Sequence, residues 1–138
     1  MPPRLTDEDQ INVKLYILLP MVITVFERDK QIAAKAFKTP DPYLALIDKA
    51  IRTAEMDARE VRRKLRALGI KIYEERRTED GLQSRYLCRG YHHEFGMLWP
   101  LIKAESRILM DKYLGLDTSQ YINPAVPIGN DDFDRLGH

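Results

Sequence analysis

The chain has 138 residues, a formal net charge of +1 and one cysteine. This length fits a single domain with its own core, and a net charge near zero excludes a global field that would attract a polyanionic partner. A lone cysteine excludes an internal disulfide and any multi-cysteine zinc site, as is typical of proteins from a reducing compartment.

The N-terminal region predicts a cytoplasmic protein. Three acidic residues at 7–9 stand where a secretory signal would be basic. The almost wholly apolar run at 15–26 is flanked by charged residues and is shorter than the roughly 20 residues that a bilayer requires. We therefore expect a core helix here, a cytoplasmic location and no membrane partner.

Two heptad stripes in the first half predict a pair of helices packed side by side. Within each stripe the members are spaced alternately four and three residues apart, which aligns them on one narrow helix face. The first stripe contains Ile11, Leu15, Leu18, Val22, Val25, Asp29, Ile32 and Ala36. The second contains Leu44, Ile47, Ile51, Ala54, Ala58, Val61, Leu65 and Leu68.

The sequence also predicts where these two helices begin and end. Thr6 is a suitable cap for a first helix running to about residue 37, in which Pro20 removes one backbone hydrogen bond and predicts a kink. After a break at 38–42, Asp41 as cap and Pro42 at the first helical position predict a second helix that ends at Gly69. The short connection predicts an antiparallel hairpin.

The region at 70–91 predicts a β-hairpin, because strand-forming residues flank a turn at 78–81. A loop followed by a helix from about residue 78 or 81 is the alternative. A third helix is then expected over 92–114, bent at Pro100 and closed by Gly115.

Together these elements predict a mainly α fold. We expect a helical bundle built on an antiparallel helix hairpin, with a small β-hairpin before a third helix. Residues 1–116 are interpreted as a single helical domain and residues 117–138 as an extended C-terminal tail, whose first part would be attached to the domain by Tyr121, Ile122, Val126 and Ile128.

No catalytic residue, metal ligand or cofactor site is predicted, and we expect that the protein is not an enzyme. One cluster concentrates the metal-capable side chains of the sequence, namely Cys88, His92, His93 and Glu94. Zinc would require further cysteine or histidine ligands, and the sequence has no other cysteine and no other histidine except His138. Cys88 and His92 would share a face only if the third helix extended back to them. No phosphate-binding or dinucleotide glycine motif is present.

The segment 59–90 is locally basic, with ten basic and five acidic residues. A basic helix followed by an arginine-bearing hairpin is a known way to bind phosphates, which makes nucleic-acid binding the alternative function. The candidate residues are Arg62, Arg63, Arg66, Arg76, Arg77, Arg85 and Arg89. A solvated helix face that complements the helix dipole explains the same residues more simply.

An apolar and aromatic patch at the start of the third helix favours self-association. It contains Tyr91, Phe95, Met97, Leu98 and Trp99, and together with the spare apolar face of the first helix it exceeds what one small domain is expected to cover. The preferred hypothesis is therefore a non-enzymatic interaction or regulatory protein that forms a homodimer through apolar helix faces.

Two segments carry a resemblance to a known group of proteins. LPMVITVFERD at 19–29 and YLCRGYHHEFGMLW at 86–99 resemble small uncharacterised proteins of spore-forming Firmicutes and of their phages and mobile elements, with the similarity spanning roughly 11–115. The resemblance implies a bacterial cytosolic protein and transfers no active residues.

Overall fold

The computed structural model describes residues 5–121, which form three helices and one antiparallel sheet. In chain order the elements are α1 (Asp7–Ala36), α2 (Asp41–Ala67), β1 (Ile70–Arg77), β2 (Gly81–Cys88), β3 (Tyr91–Leu98) and α3 (Trp99–Tyr113). The predicted mainly α class with a small β element before the last helix is confirmed. The bundle arrangement of the helices stays a prediction, and most of the predicted tail, 122–138, lies outside the described residues.

Helix α1 begins as the sequence predicted. The backbone N–H of Asp9 donates to the Thr6 hydroxyl (3.0 Å), and the N–H of Thr6 donates back to the Asp9 carboxylate (2.9 Å). This reciprocal arrangement satisfies two donors that a helix start leaves open. The helix continues through Pro20 to Ala36.

Helix α2 starts slightly differently from the prediction. Pro40 occupies the cap position and its carbonyl accepts the first helical bond, from the Leu44 N–H (2.9 Å). Asp41 is therefore the first helical residue and makes no capping bond, so its predicted role as cap is wrong. An acid in the first turn still complements the positive end of the helix dipole.

The two helices pack antiparallel, but the predicted stripes are covered unequally: five of the eight residues of the second stripe are buried and only three of the eight in the first. Leu18 and Val22 of α1 are fully buried, as is Ala54 of α2. At the connecting end, the Lys30 Nζ lies 2.6 Å from the Asp48 carboxylate across the pair. Beyond this point the first stripe is no longer covered, since Ile32 is 54% exposed.

The sheet has three strands where the sequence predicted two. Strand β2 pairs antiparallel with both β1 and β3, so the predicted start of the third helix at residue 92 is wrong, as is the alternative of a loop and helix. Arg89 and Gly90, with φ of 49° and 89°, form a two-residue connection between β2 and β3. Positive φ at both positions matches the right-handed twist of adjacent strands.

The sequence of the third strand has an alternation of period two, but the same residues also fit helical spacing. Phe95 and Met97 are buried, whereas Gly96 between them and the flanking Glu94 and Leu98 are exposed. Alternation of this kind is typical of a strand with one face on the core. Four of the five residues in the predicted apolar patch thus belong to β3.

Helix α3 begins at Trp99, which moves Pro100 from the interior to the first turn. A proline there costs no helical hydrogen bond, because the first N–H groups of a helix have no intrahelical acceptor. The predicted bend at Pro100 is therefore wrong, whereas the C-terminal end near Leu114 agrees with the sequence prediction.

Candidate functional site

The predicted nucleic-acid residues do not form one free cationic surface. Arg85 on the outer face of the sheet lies 3.5 Å from the Glu74 carboxylate on β1 and 3.2 Å from Glu94 on β3. Arg63 pairs with Glu60 one turn before it on α2, and Arg76 donates to the Gln83 side chain (2.9 Å). These three cations are already neutralised or hydrogen-bonded within the fold.

Arg89 is a structural clasp rather than a phosphate ligand. Its guanidinium donates to both carboxylate oxygens of Asp9 (2.7 and 3.3 Å) and to the Leu68 carbonyl (2.8 Å). One side chain from the β2–β3 turn thereby joins the start of α1 to the end of α2. Such bidentate contacts are among the stronger hydrogen bonds of a protein.

The pKa values of Asp9 and of the neighbouring Cys88 are both shifted at this clasp. Burial by itself raises the pKa of Asp9, but the hydrogen bonds from Arg89 and Thr6 outweigh it and leave the pKa below its ordinary value. Burial, aided by the nearby Asp9 charge, raises the pKa of the Cys88 thiol. A thiol held in its neutral form is a poor nucleophile and a poor metal ligand.

The residues considered for metal binding are separated by the sheet. Cys88 pairs with Tyr91 and is buried on the core side, whereas His92 pairs with Leu87 and is exposed on the other side. The face that they would have shared on an extended helix therefore does not exist. Among residues 5–121 no group of three or more histidine, cysteine or acidic side chains is placed to hold a metal ion.

Arg62 and Arg77 are brought together from different elements, α2 and β1, on the walls of one groove. Arg77 also lies over the Trp99 ring, with its guanidinium carbon 5.8 Å from the ring centre. Arg66 is exposed on α2 and does not line this groove. Of the predicted arginines, these two line this groove.

Among residues 5–121, a group of exposed apolar side chains lies at the connecting end of the helix hairpin. We call it the hairpin-end patch; it consists of Ile32, Phe37, Tyr43 and Leu46, which are 54, 45, 54 and 47% exposed. The Phe37 and Tyr43 rings contact edge to face with centroids 4.9 Å apart. With about 200 Å² for a large apolar side chain, the patch leaves on the order of 400 Å² in solvent.

The fold covers only part of the apolar patch that the sequence predicted at 91–99. Phe95 and Met97 are buried, whereas Tyr91 and Leu98 are exposed. The available signal for the hairpin-end patch was Ile32 in the heptad stripe, followed by aromatic residues on both sides of the Pro-containing connection. An isolated hairpin end cannot bury all of these side chains.

Helix α1 is long and apolar enough to cross a membrane by length and composition alone. Of its most apolar window, 56% is buried inside this fold. A core helix of a globular protein meets the same criteria, so this is weak evidence of a membrane span.

Comparison with known proteins gives a consistent assignment. The family described as YhjD protein matches residues 4–118. A protein of Bacillus subtilis (strain 168) with the name uncharacterized protein YhjD is 32% identical over 113 residues, covering 81% of this chain and 94% of that protein. No solved structure matches the chain.

Proposed function

The chain belongs to the YhjD protein family, and for this member we propose a non-enzymatic interaction role in which two copies associate through the hairpin-end patch. The observation that carries the proposal is the exposure of four large apolar side chains at one end of the α1–α2 pair. An exposed apolar region on the order of 400 Å² is within the size range of the largest apolar patch on a typical monomer, and such patches are often functional.

A second copy of the chain is the partner that the local charges favour. Around the patch, basic residues 28, 30, 35, 38 and 49 alternate with acidic residues 27, 29, 41 and 48. Two such ends would not repel each other, and a two-fold contact would bring one copy's basic positions towards the other's acidic positions. The patch supplies about half of the 800 Å² that each partner contributes to a standard interface, so the neighbouring helix surfaces would have to supply the rest.

The cellular setting is part of the same proposal. The B. subtilis relative supports a bacterial source. A cytoplasmic location is part of the proposal because 56% of the most apolar window of α1 is buried inside the fold. A link to sporulation, phages or mobile elements rests only on the sequence resemblance at 19–29 and 86–99.

Sedimentation velocity over a concentration series tests the association. We expect the wild-type chain to sediment as a dimer at the upper end of the series and Phe37→Glu/Leu46→Glu to remain monomeric throughout. The matched control is Met56→Glu/Leu116→Glu, which charges two apolar positions that are also exposed, 61 and 58%, but lie outside the patch. A wild-type monomer at every concentration, or equal dissociation by both double variants, would contradict the proposal.

Nucleic-acid binding is retained as a prediction that is now confined to fewer residues. Arg62, Arg66 and Arg77 are the candidates whose guanidinium groups form neither an ion pair nor a side-chain hydrogen bond in the described part of the chain, since Arg76 bonds to Gln83. Their replacement by glutamate should abolish any binding of a short DNA or RNA duplex at low salt in fluorescence anisotropy. Unaltered binding, or no binding by the wild-type chain, would remove this alternative.

A further inference from the structure

An open groove crosses the middle of the helix pair on the side of the sheet. Its cavity volume is about 650 Å³, within the range of small-molecule sites. The apolar part is formed by Leu15, Leu19, Met21 and Val25 of α1 with Ala58 of α2 and Leu82 of β2. The groove and the hairpin-end patch share no residue, so binding in the groove does not depend on self-association.

The groove exists because the core-facing side of β1 is apolar in the first half of the strand and charged in the second half. At the start of the strand, Ile70 and Ile72 face the core. After an irregularity between Ile72 and Glu74, the same side of the strand carries Glu75 and Arg77. Charged side chains keep their hydration, and both are exposed. This half of β1 therefore does not cover the helices as its first half does.

A small residue on α2 contributes to the depth of the groove. Ala58 offers only a methyl group at the point where α2 lines the groove, and Tyr16 and Pro20 line it from α1. The floor between the two helices is consequently apolar over most of its area.

The charged side chains on the walls of the groove favour a ligand with a single negative charge. Arg62 and Arg77 both line the groove, and within residues 5–121 neither forms an ion pair with an acidic side chain. Glu75 is the third charged residue of the lining, which gives the lining a net charge of +1. A single negative charge joined to an apolar body complements this arrangement better than a neutral ligand or a dianion.

We propose that the groove binds a long-chain carboxylate, with the acyl chain along the apolar floor and the carboxylate held by Arg62 and Arg77. Arginine presents paired N–H donors that match the two oxygens of a carboxylate. The acyl chain would cover apolar side chains that the fold leaves open to solvent. The ligand class is defined by this chemistry: one anionic head group and a flexible hydrocarbon chain.

Titration calorimetry with sodium tetradecanoate below its critical micelle concentration tests the proposal on the full chain. We expect saturable binding of about one ligand per chain. Affinity should rise from decanoate to tetradecanoate, by up to about fourfold for each added methylene that becomes buried. Tetradecyltrimethylammonium, which has the same chain and the opposite charge, should bind at least tenfold more weakly.

The variants separate the proposed contacts from general basicity. Arg62→Gln/Arg77→Gln should weaken tetradecanoate binding at least tenfold and leave the binding of neutral tetradecanol unchanged. The matched control, Arg66→Gln/Arg76→Gln, removes two exposed arginines outside the groove and should bind as the wild type does. Neither double variant alters the core, and circular dichroism verifies that each is folded.

Several results would overturn the assignment. Absence of tetradecanoate binding to the folded wild type would do so, as would equal loss in the two double variants or an affinity independent of chain length. Equal binding of the cationic amphiphile would show a groove without selectivity for charge and would also reject the proposal.

Discussion

The ammonium group of Lys14 lies 2.6 Å from the Glu105 carboxylate, and both side chains are buried between α1 and α3. The contact joins residues 91 positions apart in the sequence. The sequence gives no indication that either residue is buried, because lysine and glutamate are normally surface residues of helices. Their pairing fixes how α3 is positioned on α1.

This pair gives the sharpest stability prediction. Glu105→Ala should destabilise the protein by about 3–5 kcal/mol, since the Lys14 charge would stay buried without this partner. Lys14→Met/Glu105→Leu should be much less destabilising than Glu105→Ala, because a well-packed apolar pair is often neutral or stabilising relative to a buried ion pair. Urea unfolding followed by circular dichroism measures both. A double variant as unstable as the single one would show that the pair contributes more than mutual neutralisation.

The Asp9–Arg89 clasp predicts a component of acid sensitivity. Because the folded-state pKa of Asp9 is lowered, its carboxylate stabilises the fold at pH values above its ordinary pKa of 3.8. That stabilisation is lost as the pH falls below this value and through the folded-state pKa. Asp9→Asn should be less stable at pH 7 and should lose less stability on acidification to pH 3.

Unfolding midpoints of wild type and Asp9→Asn at the two pH values provide the measurement. Asp7→Asn is the matched control, since Asp7 is an exposed acid in the same helical turn. A pH dependence of Asp9→Asn equal to that of the wild type would contradict the assigned role of the clasp.

Burial also predicts an alkaline effect at Tyr86. Burial, with the nearby Cys88 and Asp9, raises the pKa of Tyr86 to about 12 from an ordinary value of 10. The neutral phenol is thus favoured in the folded protein, and the associated stability should be present below pH 10 and lost as the pH rises from 10 to 12. Tyr86→Phe should flatten this decline in urea midpoints. Tyr43→Phe, at a 54% exposed site, should follow the wild type.

Two glycines of the sheet should respond differently to alanine. A Cβ at Gly81 would lie 2.0 Å from the Met97 carbonyl oxygen, a backbone atom of the neighbouring strand. Gly81→Ala should therefore destabilise the sheet by about 3 kcal/mol, the upper range for overpacking. At Gly90 a Cβ meets nothing within 4 Å, and only the positive φ of 89° is costly, about 1–2 kcal/mol. Thermal unfolding measures the midpoint of each variant. A lower midpoint for Gly90→Ala than for Gly81→Ala would contradict this interpretation.

The sequence was most informative where the determinants are local. Helix α1 begins at the residues that cap it, and α2 ends before Gly69, whose φ of +72° is readily adopted by glycine. The antiparallel packing of the two helices results from heptads joined by a short connection. Each of these features depends on residues within a few turns of one another, so spacing alone reveals them.

Strand β3 shows where local reasoning failed. Positions 92–98 satisfy helical spacing and strand alternation almost equally well, and the decision depends on pairing with β2 over its whole length. The same pairing places Cys88 and His92 on opposite faces of the sheet, which separates two side chains that were considered for metal binding. It also brings Glu94 beside Arg85, so that a residue predicted to bind phosphate is neutralised within the fold.

The sequence by itself therefore determined the first two helices, their antiparallel hairpin, the end of the third helix and the existence of a β element, because hydrophobic period and caps act over short distances. Only the tertiary structure decided which arginines are engaged, that Lys14 and Glu105 meet in the core, and that Arg62 and Arg77 share a groove. These contacts join distant parts of the chain, and a side chain's charge or polarity in the sequence carries no information about which distant residue it will contact.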